Sequence, residues 1–205
     1  MQDNSRQADH VQEFVGKYEE TNPLSRYFVN GFYRALEDLI PADIDSIFEA
    51  GCGAGYSSEY ITRMPHGASY AASDISADLI GLARQRLPGI DFAVESIYAL
   101  QREDNSVDLA MALETFEHIE DPLAALRELK RVARKYVVLS VPREPLWCAL
   151  NLARLKYVSR LGNTPGHINH WSKRGFIALV ERELPVIRAR SPIPWTMILA
   201  RVGDE

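Results

Sequence analysis

Between residues 46 and 141 the hydrophobic pattern alternates between a strand period and a helix period. Ser46 to Ala50 reads as a short apolar strand, Tyr56 to Met64 as a helix, and Ser69 to Asp74 as a second strand. A second helix carries Leu79, Ile80, Leu82 and Ala83 behind Ser76 as N-cap, and Pro88-Gly89 stops it. Ile90 to Glu95 makes a third strand, and Val107 to Leu113 a fourth that is almost without polar residues. Asp121-Pro122 then opens a helix with Leu123, Leu126, Leu129 and Val132 on one face, followed by a fifth strand from Tyr136 to Val141. A run apolar on both faces, such as the fourth strand, belongs in the middle of a parallel sheet covered on both sides. The alternation therefore predicts an α/β fold of Rossmann-like type, mostly parallel, with right-handed helical crossovers on both faces.

The flanks follow different patterns. From about Asp9 to Ile40 the chain reads as helix broken near Thr21-Asn22-Pro23, with Phe14, Val15 and Tyr18 on one face before the break. Tyr27, Phe28, Phe32, Leu36, Leu39 and Ile40 form a second stripe after it. Such stripes read as core; Tyr18 and Tyr27, beside the break, stand apart from them. Pro145 to Leu161 reads as an extra helix, Gly162 to Trp171 as a loop, and Ser172 as the cap of a last helix with Phe176, Ile177 and Val180. Two final strands, Val186 to Arg190 and Trp195 to Val202, suit an antiparallel pair at the sheet edge.

Composition narrows the class. The 205 residues are 46% apolar and 25% charged, which suits a single domain with one core. No apolar run has the length of a signal peptide or a membrane span, so a cytoplasmic location is the expectation. Cys52 and Cys148, the only two cysteines, lie far apart and suggest neither a disulfide framework nor a zinc site. Residues 1–121 carry 8 Lys and Arg against 22 Asp and Glu, a balance of −14, whereas residues 122–205 carry 15 against 6, a balance of +9. Two faces of one domain that attract each other account for this asymmetry; a surface for an anionic partner is the alternative.

Candidate chemistry concentrates at the strand ends. Ile47-Phe48-Glu49-Ala50-Gly51-Cys52-Gly53-Ala54-Gly55-Tyr56 places an acid and three alternate glycines between a strand and a helix, as a ligand-binding turn requires. In this fold class ligands bind at the carboxyl ends of the strands, where Glu49, Asp74, Glu95 and Glu114 fall. A dinucleotide fingerprint G-x-G-x-x-G would put its third glycine at the place of Tyr56, yet the glycine is Gly55. Glu49 would also repel a pyrophosphate and favour a cation.

These residues resemble the class I S-adenosylmethionine-dependent methyltransferases. Glu49-Ala50-Gly51-Cys52-Gly53-Ala54-Gly55 is similar to their first motif, E/D-x-G-x-G-x-G; Asp74 matches their ribose-binding acid and Glu95-Ser96-Ile97 the segment that meets adenine. Ser106 to Leu109, continuing to Glu114-Thr115-Phe116-Glu117-His118-Ile119, resembles their fourth-strand motif with the EHI sequence of small-molecule members. The resemblance implies a seven-stranded sheet with an antiparallel last strand. It implies S-adenosyl-L-methionine as cofactor and S-adenosyl-L-homocysteine as product. Cofactor contacts are then expected from Glu49, Ala50, Gly51, Cys52, Gly53, Gly55, Asp74, Ile75, Glu95, Ser96, Ile97, Leu113 and Glu114. Within one domain it implies an N-terminal helical cap (1–40), a cofactor-binding core (44–141), an inserted substrate cap (143–172) and a final helix with edge strands (173–205).

Methyl transfer from a sulfonium needs alignment in a water-poor pocket, and a base only for a protonated nucleophile. His118, just beyond the fourth strand, is the candidate base, with packing of its own loop as the plain alternative. Tyr18, Tyr27, Glu117, His118, Arg143, Trp147, His167, His170 and Trp171 are expected to line the acceptor pocket. His167 and His170 have no cysteine or acid near them in sequence to complete a ligand set, so no metal is expected. The fourth strand is not followed by D/N-P-P-Y and no RNA-binding pattern is present, which disfavours nucleic acid. A small-molecule acceptor remains, anionic or lipid-linked if Arg143, Arg154, Lys156 and Arg160 serve it, and a homodimer is compatible with the sequence. The rival readings are a non-catalytic protein that keeps the cofactor as a structural or sensing ligand and, against the glycine spacing, a nicotinamide oxidoreductase.

Overall fold

The computed structural model describes residues 23–203. Phe14, Val15 and Tyr18 therefore lie outside the described residues. Helix α1 (Pro23–Leu39) leads into β1 (Ser46–Ala50), α2 (Tyr56–Thr62), β2 (Ser69–Asp74), α3 (Ala77–Arg86), β3 (Asp91–Val94) and β4 (Val107–Leu113). After a 3-10 turn at Phe116–His118 come α4 (Pro122–Val132), β5 (Ala133–Pro142), α5 (Leu146–Ala153), α6 (Lys173–Val180), β6 (Val186–Arg190) and β7 (Trp195–Arg201). The seven strands form one sheet in the order β3-β2-β1-β4-β5-β7-β6. β1 pairs in parallel with both β2 and β4, and β7 is antiparallel to both of its neighbours. None of the helices among the described residues is long and apolar enough to cross a membrane.

Alternation along the central strands feeds two cores. Phe48, Ala50, Ala110 and Ala112 face the side covered by α4 and α6, where Leu126, Leu129, Phe176 and Val180 are fully buried. Ile47, Leu109, Met111 and Leu113 face the side covered by α1 and α2 through Phe32, Leu36, Leu39 and Ile61. Because β4 is buried along all of its length, polar residues have no favourable place there. Asp108 is the exception and sits at the strand's start, where it accepts hydrogen bonds from the Asp45 N–H and Arg134. Asp121 caps α4 through the N–H groups of Leu123 and Ala124, with Pro122 in the first turn, as read from the sequence.

The final antiparallel pair lies at one end of the sheet as read, with β6 outermost and β7, buried over most of its length, between β5 and β6. Two boundaries need correction. The fifth strand starts at Ala133 rather than Tyr136, directly from the end of α4. The helix read over Pro145 to Leu161 ends at Ala153, and a 3-10 turn follows at Val158–Arg160. The reason is tertiary. Asn151 is buried and donates from Nδ2 to the Gly162 carbonyl (2.9 Å) and to Thr164 Oγ1 (3.2 Å), which folds the chain back on α5. Gly162, at φ +81°, makes the return possible because a Cβ there would stand 2.2 Å from the Cys148 carbonyl oxygen.

Candidate active site

The glycine turn is stitched to the end of β2. Gly51 and Cys52 N–H groups donate to the Ser73 carbonyl (2.7 and 2.9 Å), and the Gly53 N–H donates to Asp74 Oδ2 (2.9 Å). Asp74 Oδ1 accepts from the Ser76 N–H at 2.8 Å, so the carboxylate also orders the start of α3. Gly51, Gly53 and Gly55 all have left-handed backbone (φ +80°, +54° and +79°). At Gly51 the requirement is double, since a Cβ would also lie 2.5 Å from Thr115 Oγ1, beyond the end of β4.

Glu49 lies beneath the turn and is wholly buried, accepting from Ser57 Oγ (2.6 Å), Ser58 Oγ (3.2 Å) and the Tyr70 hydroxyl. Burial raises its pKa, three hydrogen bonds counter this in part, and the charge of Asp74 adds to the rise. Asp74 is raised as well, by burial, against the hydrogen bonds of Ser76, Gly53 and Ile75 N–H groups. Two carboxyls that both resist ionisation suit a ligand bearing positive charge, which would offset the cost of ionising them. Burial pushes the Cys52 thiol up too, with Glu49 and Asp74 adding to it, so this cysteine is a packed thiol and not a nucleophile.

On the adenosine side expected from the sequence, Glu95 follows β3 and its N–H donates to the Asp74 carbonyl (3.1 Å). Glu95 Oε2 accepts from the Gln101 N–H (2.8 Å), whereas Oε1 is buried with no hydrogen-bond partner. A buried carboxylate oxygen of this kind awaits a donor. Ser96 Oγ accepts from the Tyr98 N–H, Ile97 packs against the core, and Ile75 is exposed. An orphaned acceptor, two resisting carboxyls and a turn that excludes Cβ atoms together fit a cationic adenosine-type cofactor.

On the other side of the turn a cavity of about 420 Å³ opens. Of the residues expected to bind cofactor or acceptor, it is lined by Gly51, Cys52, Leu113, Glu114, Glu117, His118, Trp147 and His167. Glu114, itself left-handed at φ +54°, is held by Ser140 Oγ donating to Oε1 (2.9 Å) and Trp195 Nε1 donating to Oε2 (2.6 Å). Tyr27, Arg143, His170 and Trp171 are not among the lining residues. Tyr27 is exposed, and Trp171 packs against Phe176. The Arg143 N–H donates to the Pro194 carbonyl, and His170 Nδ1 stands 3.6 Å from Glu144 Oε1.

Sequence reasoning missed part of this wall. Phe28, Val29, Phe32 and Tyr33 of α1, Leu150 and Asn151 of α5, and Trp195 of β7 line the cavity. The α1 stripe was legible as an apolar face, but nothing local distinguishes a stripe that covers a core from one whose end covers a cavity. Of the four basic residues weighed, Arg154 and Lys156 reach the cavity, and Arg143 and Arg160 do not. His167 lines the cavity and His170, three residues on, does not. His167 stands against His118, with ring centroids 4.9 Å apart and planes at 83°.

Residues 48–141 match the family model described as "Methyltransferase domain". A "Ubiquinone biosynthesis O-methyltransferase" from Xanthomonas oryzae pv. oryzae is 29% identical over 136 residues, covering 60% of this chain and 56% of that protein. A protein of the same description from Xanthomonas campestris pv. campestris is 30% identical over 123 residues, covering 56% and 51%. The chain thus spans about half the length of the curated relatives it matches. Among solved structures, a "possible histamine N-methyltransferase" from Thermotoga maritima superposes with a TM-score of 0.72 at 17% identity, covering 95% of this chain and 99% of that one. Magnesium protoporphyrin IX methyltransferase from Synechocystis, with bound SAH, superposes with a TM-score of 0.65 at 18% identity, covering 93% of each. At these identities the structural likeness speaks for the fold alone. Residues 48–141 are thus similar to a methyltransferase domain, and the sheet order and the glycine turn at its centre agree with the resemblance to class I S-adenosylmethionine-dependent methyltransferases.

Proposed function

We propose that the chain transfers a methyl group from S-adenosyl-L-methionine to a small-molecule acceptor, at an oxygen atom. The observation that carries this reading is the continuity of the site: Gly51 and Cys52 of the turn line the same cavity as Glu117, His118 and Trp147. The cofactor supplies a methyl group on a sulfonium, an electrophile whose leaving group needs no protonation. The turn, backed by the buried charge of Glu49, would hold its cationic end, Asp74 its ribose hydroxyls, and the orphaned Glu95 Oε1 would accept from the base. The apolar wall of Phe28, Phe32, Trp147 and Trp195 excludes water and packs a flat or lipid-like acceptor body. Arg154 and Lys156 at the cavity favour a negative group on that acceptor. The similarity to O-methyltransferases of Xanthomonas supports oxygen over nitrogen as the acceptor atom.

His118 is the base of the simplest form of this mechanism. Its Nδ1 stands 3.0 Å from the Gly166 carbonyl, an acceptor only, so Nδ1 carries the proton and Nε2 the lone pair that could take one from the acceptor. The test is calorimetric titration of S-adenosyl-L-homocysteine, followed by assays with methyl-labelled cofactor on phenols, catechols, hydroxy acids and amines. Micromolar binding and acceptor-dependent label transfer to oxygen are expected. Cofactor binding without transfer to any acceptor would favour the non-catalytic reading, and absence of cofactor binding would refute both.

A further inference from the structure

We propose that Glu117, His118 and His167 form a divalent transition-metal site, of zinc or manganese type, at the acceptor end of the cavity. One donor atom from each lies within 4.8 Å of the other two, and His118 Nε2 is 4.0 Å from Glu117 Oε1. Donors held about 2.1 Å from one ion sit roughly 3 to 3.5 Å apart, so side-chain movements of under about 1 Å would close the set. Two imidazoles and one carboxylate suit zinc, manganese or iron better than the all-oxygen preferences of calcium or magnesium.

The surroundings are those of a ligand set fixed from outside. The Gly166 carbonyl holds His118 in the tautomer whose Nε2 can ligate, the arrangement that metal-binding histidines use. Asn169 ties the two contributing segments together. Its Nδ2 donates to the Phe116 and Ile119 carbonyls (3.0 and 2.6 Å), on either side of Glu117 and His118. The Ile168 and Asn169 N–H groups both donate to the Glu117 carbonyl (2.8 and 3.1 Å), which registers His167 beside the acid. Glu117 and His167 are buried while His118 is exposed, so the cluster has one dry side and one side open for further ligands.

Three protein ligands leave open positions, as catalytic rather than structural metal sites do. Resting on the methyltransferase reading, these positions would take an acceptor with two neighbouring oxygen donors, such as a catechol or an α-hydroxy carboxylate. Ligation lowers the pKa of a hydroxyl, whose proton leaves to solvent. The oxygen's electron pair then forms the C–O bond as the C–S bond of the sulfonium breaks, giving a methyl ether and a neutral thioether. In this form His118 Nε2 is a ligand and not the base.

Protein freed of metal by chelator is titrated calorimetrically with zinc chloride and with manganese chloride. The manganese titration is followed in parallel by electron paramagnetic resonance. Saturable binding of one ion per chain is expected. Glu117→Gln, His118→Ala and His167→Gln are each expected to weaken it at least about tenfold, and His170→Ala to leave it unchanged. His118 is exposed, so its variant serves where a buried substitution disturbs folding, which S-adenosyl-L-homocysteine affinity reports independently. Absence of one-to-one binding, or binding that none of the three substitutions weakens, overturns the site. Methyl transfer that persists in chelator, together with either result, keeps the methyltransferase and restores His118 as base. Specific metal binding with no acceptor turnover keeps the site and overturns the methyltransferase reading.

Discussion

The two sides of the glycine turn are built in opposite ways. The side proposed for the cofactor consists of neighbours in sequence and sheet order: the exits of β1, β2 and β3, joined by backbone hydrogen bonds from Gly51, Cys52 and Glu95 to Ser73 and Asp74. The side proposed for the acceptor is collected from α1, the turn after β4, α5, the loop before α6 and the start of β7. Its joints are side chains: Asn169 to the carbonyls around Glu117, Asn151 to Gly162 and Thr164, Trp147 Nε1 to Thr164 Oγ1, and Trp195 to Glu114. A site made from main chain tolerates little change. One made from side-chain joints is expected to change with less effect on its neighbour.

The largest expected effect that separates the two sides is at Asp74. Asp74→Ala removes a charged hydrogen-bond acceptor, about 1.5 to 3 kcal/mol, and weakens S-adenosyl-L-homocysteine roughly 10- to 150-fold. Metal affinity at the other side should be untouched, and parallel calorimetric titrations check both. If the two affinities fall together, the sides are not independent.

Gly51→Ala comes next, because Gly51 belongs to the turn and also supports Thr115. Left-handed strain alone costs about 1 to 2 kcal/mol, which lowers the melting temperature by roughly 2 to 8 °C in a domain of this size. Adding Thr115→Ala should recover the part due to the clash and none of the part due to strain. Complete recovery would show that backbone conformation at Gly51 is not limiting.

Asn169→Ala probes the side-chain joints. It leaves two carbonyls without this donor, costs about 1 kcal/mol in stability, and loosens His167 from Glu117 and His118. Acceptor KM or metal affinity should worsen several-fold while S-adenosyl-L-homocysteine affinity changes less than about twofold. Loss of cofactor affinity of equal size would mean that the two sides share one support.

The smallest effect is a control at the far end of the sheet. Burial acts to raise the pKa of Asp108, but hydrogen bonds from the Asp45 N–H and Arg134, with the charges of Arg134 and Lys135, hold it below its ordinary value. The ionised form therefore stabilises the fold above the unfolded carboxylate range, and this contribution disappears as pH falls through the depressed pKa. Asp108→Asn should lower the melting temperature at neutral pH by a few degrees at most, since Arg134 is more than half exposed. The gap to the parent protein should close on acidification, with neither site's affinity altered. Thermal melts from pH 2 to 7 would show it.

The same contrast explains how much was legible beforehand. The order of strands and helices, the glycine turn and the acids at Glu49, Asp74 and Glu95 follow from short-range rules of periodicity, turn chemistry and strand ends. So they could be read residue by residue. Short-range rules failed where a tertiary contact overrides them: at Ala153, where Asn151 folds the chain back on α5. The sequence puts both His167 and His170 in the pocket wall, and the fold brings His167 to the cavity against His118 and leaves His170 outside its lining. What the sequence alone determined is the sheet, the turn and the acids beside it, Glu49, Asp74 and Glu95, since each is specified within one strand-turn-helix unit. Only the tertiary structure decided which aromatic, acidic and imidazole side chains meet across the turn, because those contacts join segments that no local pattern connects.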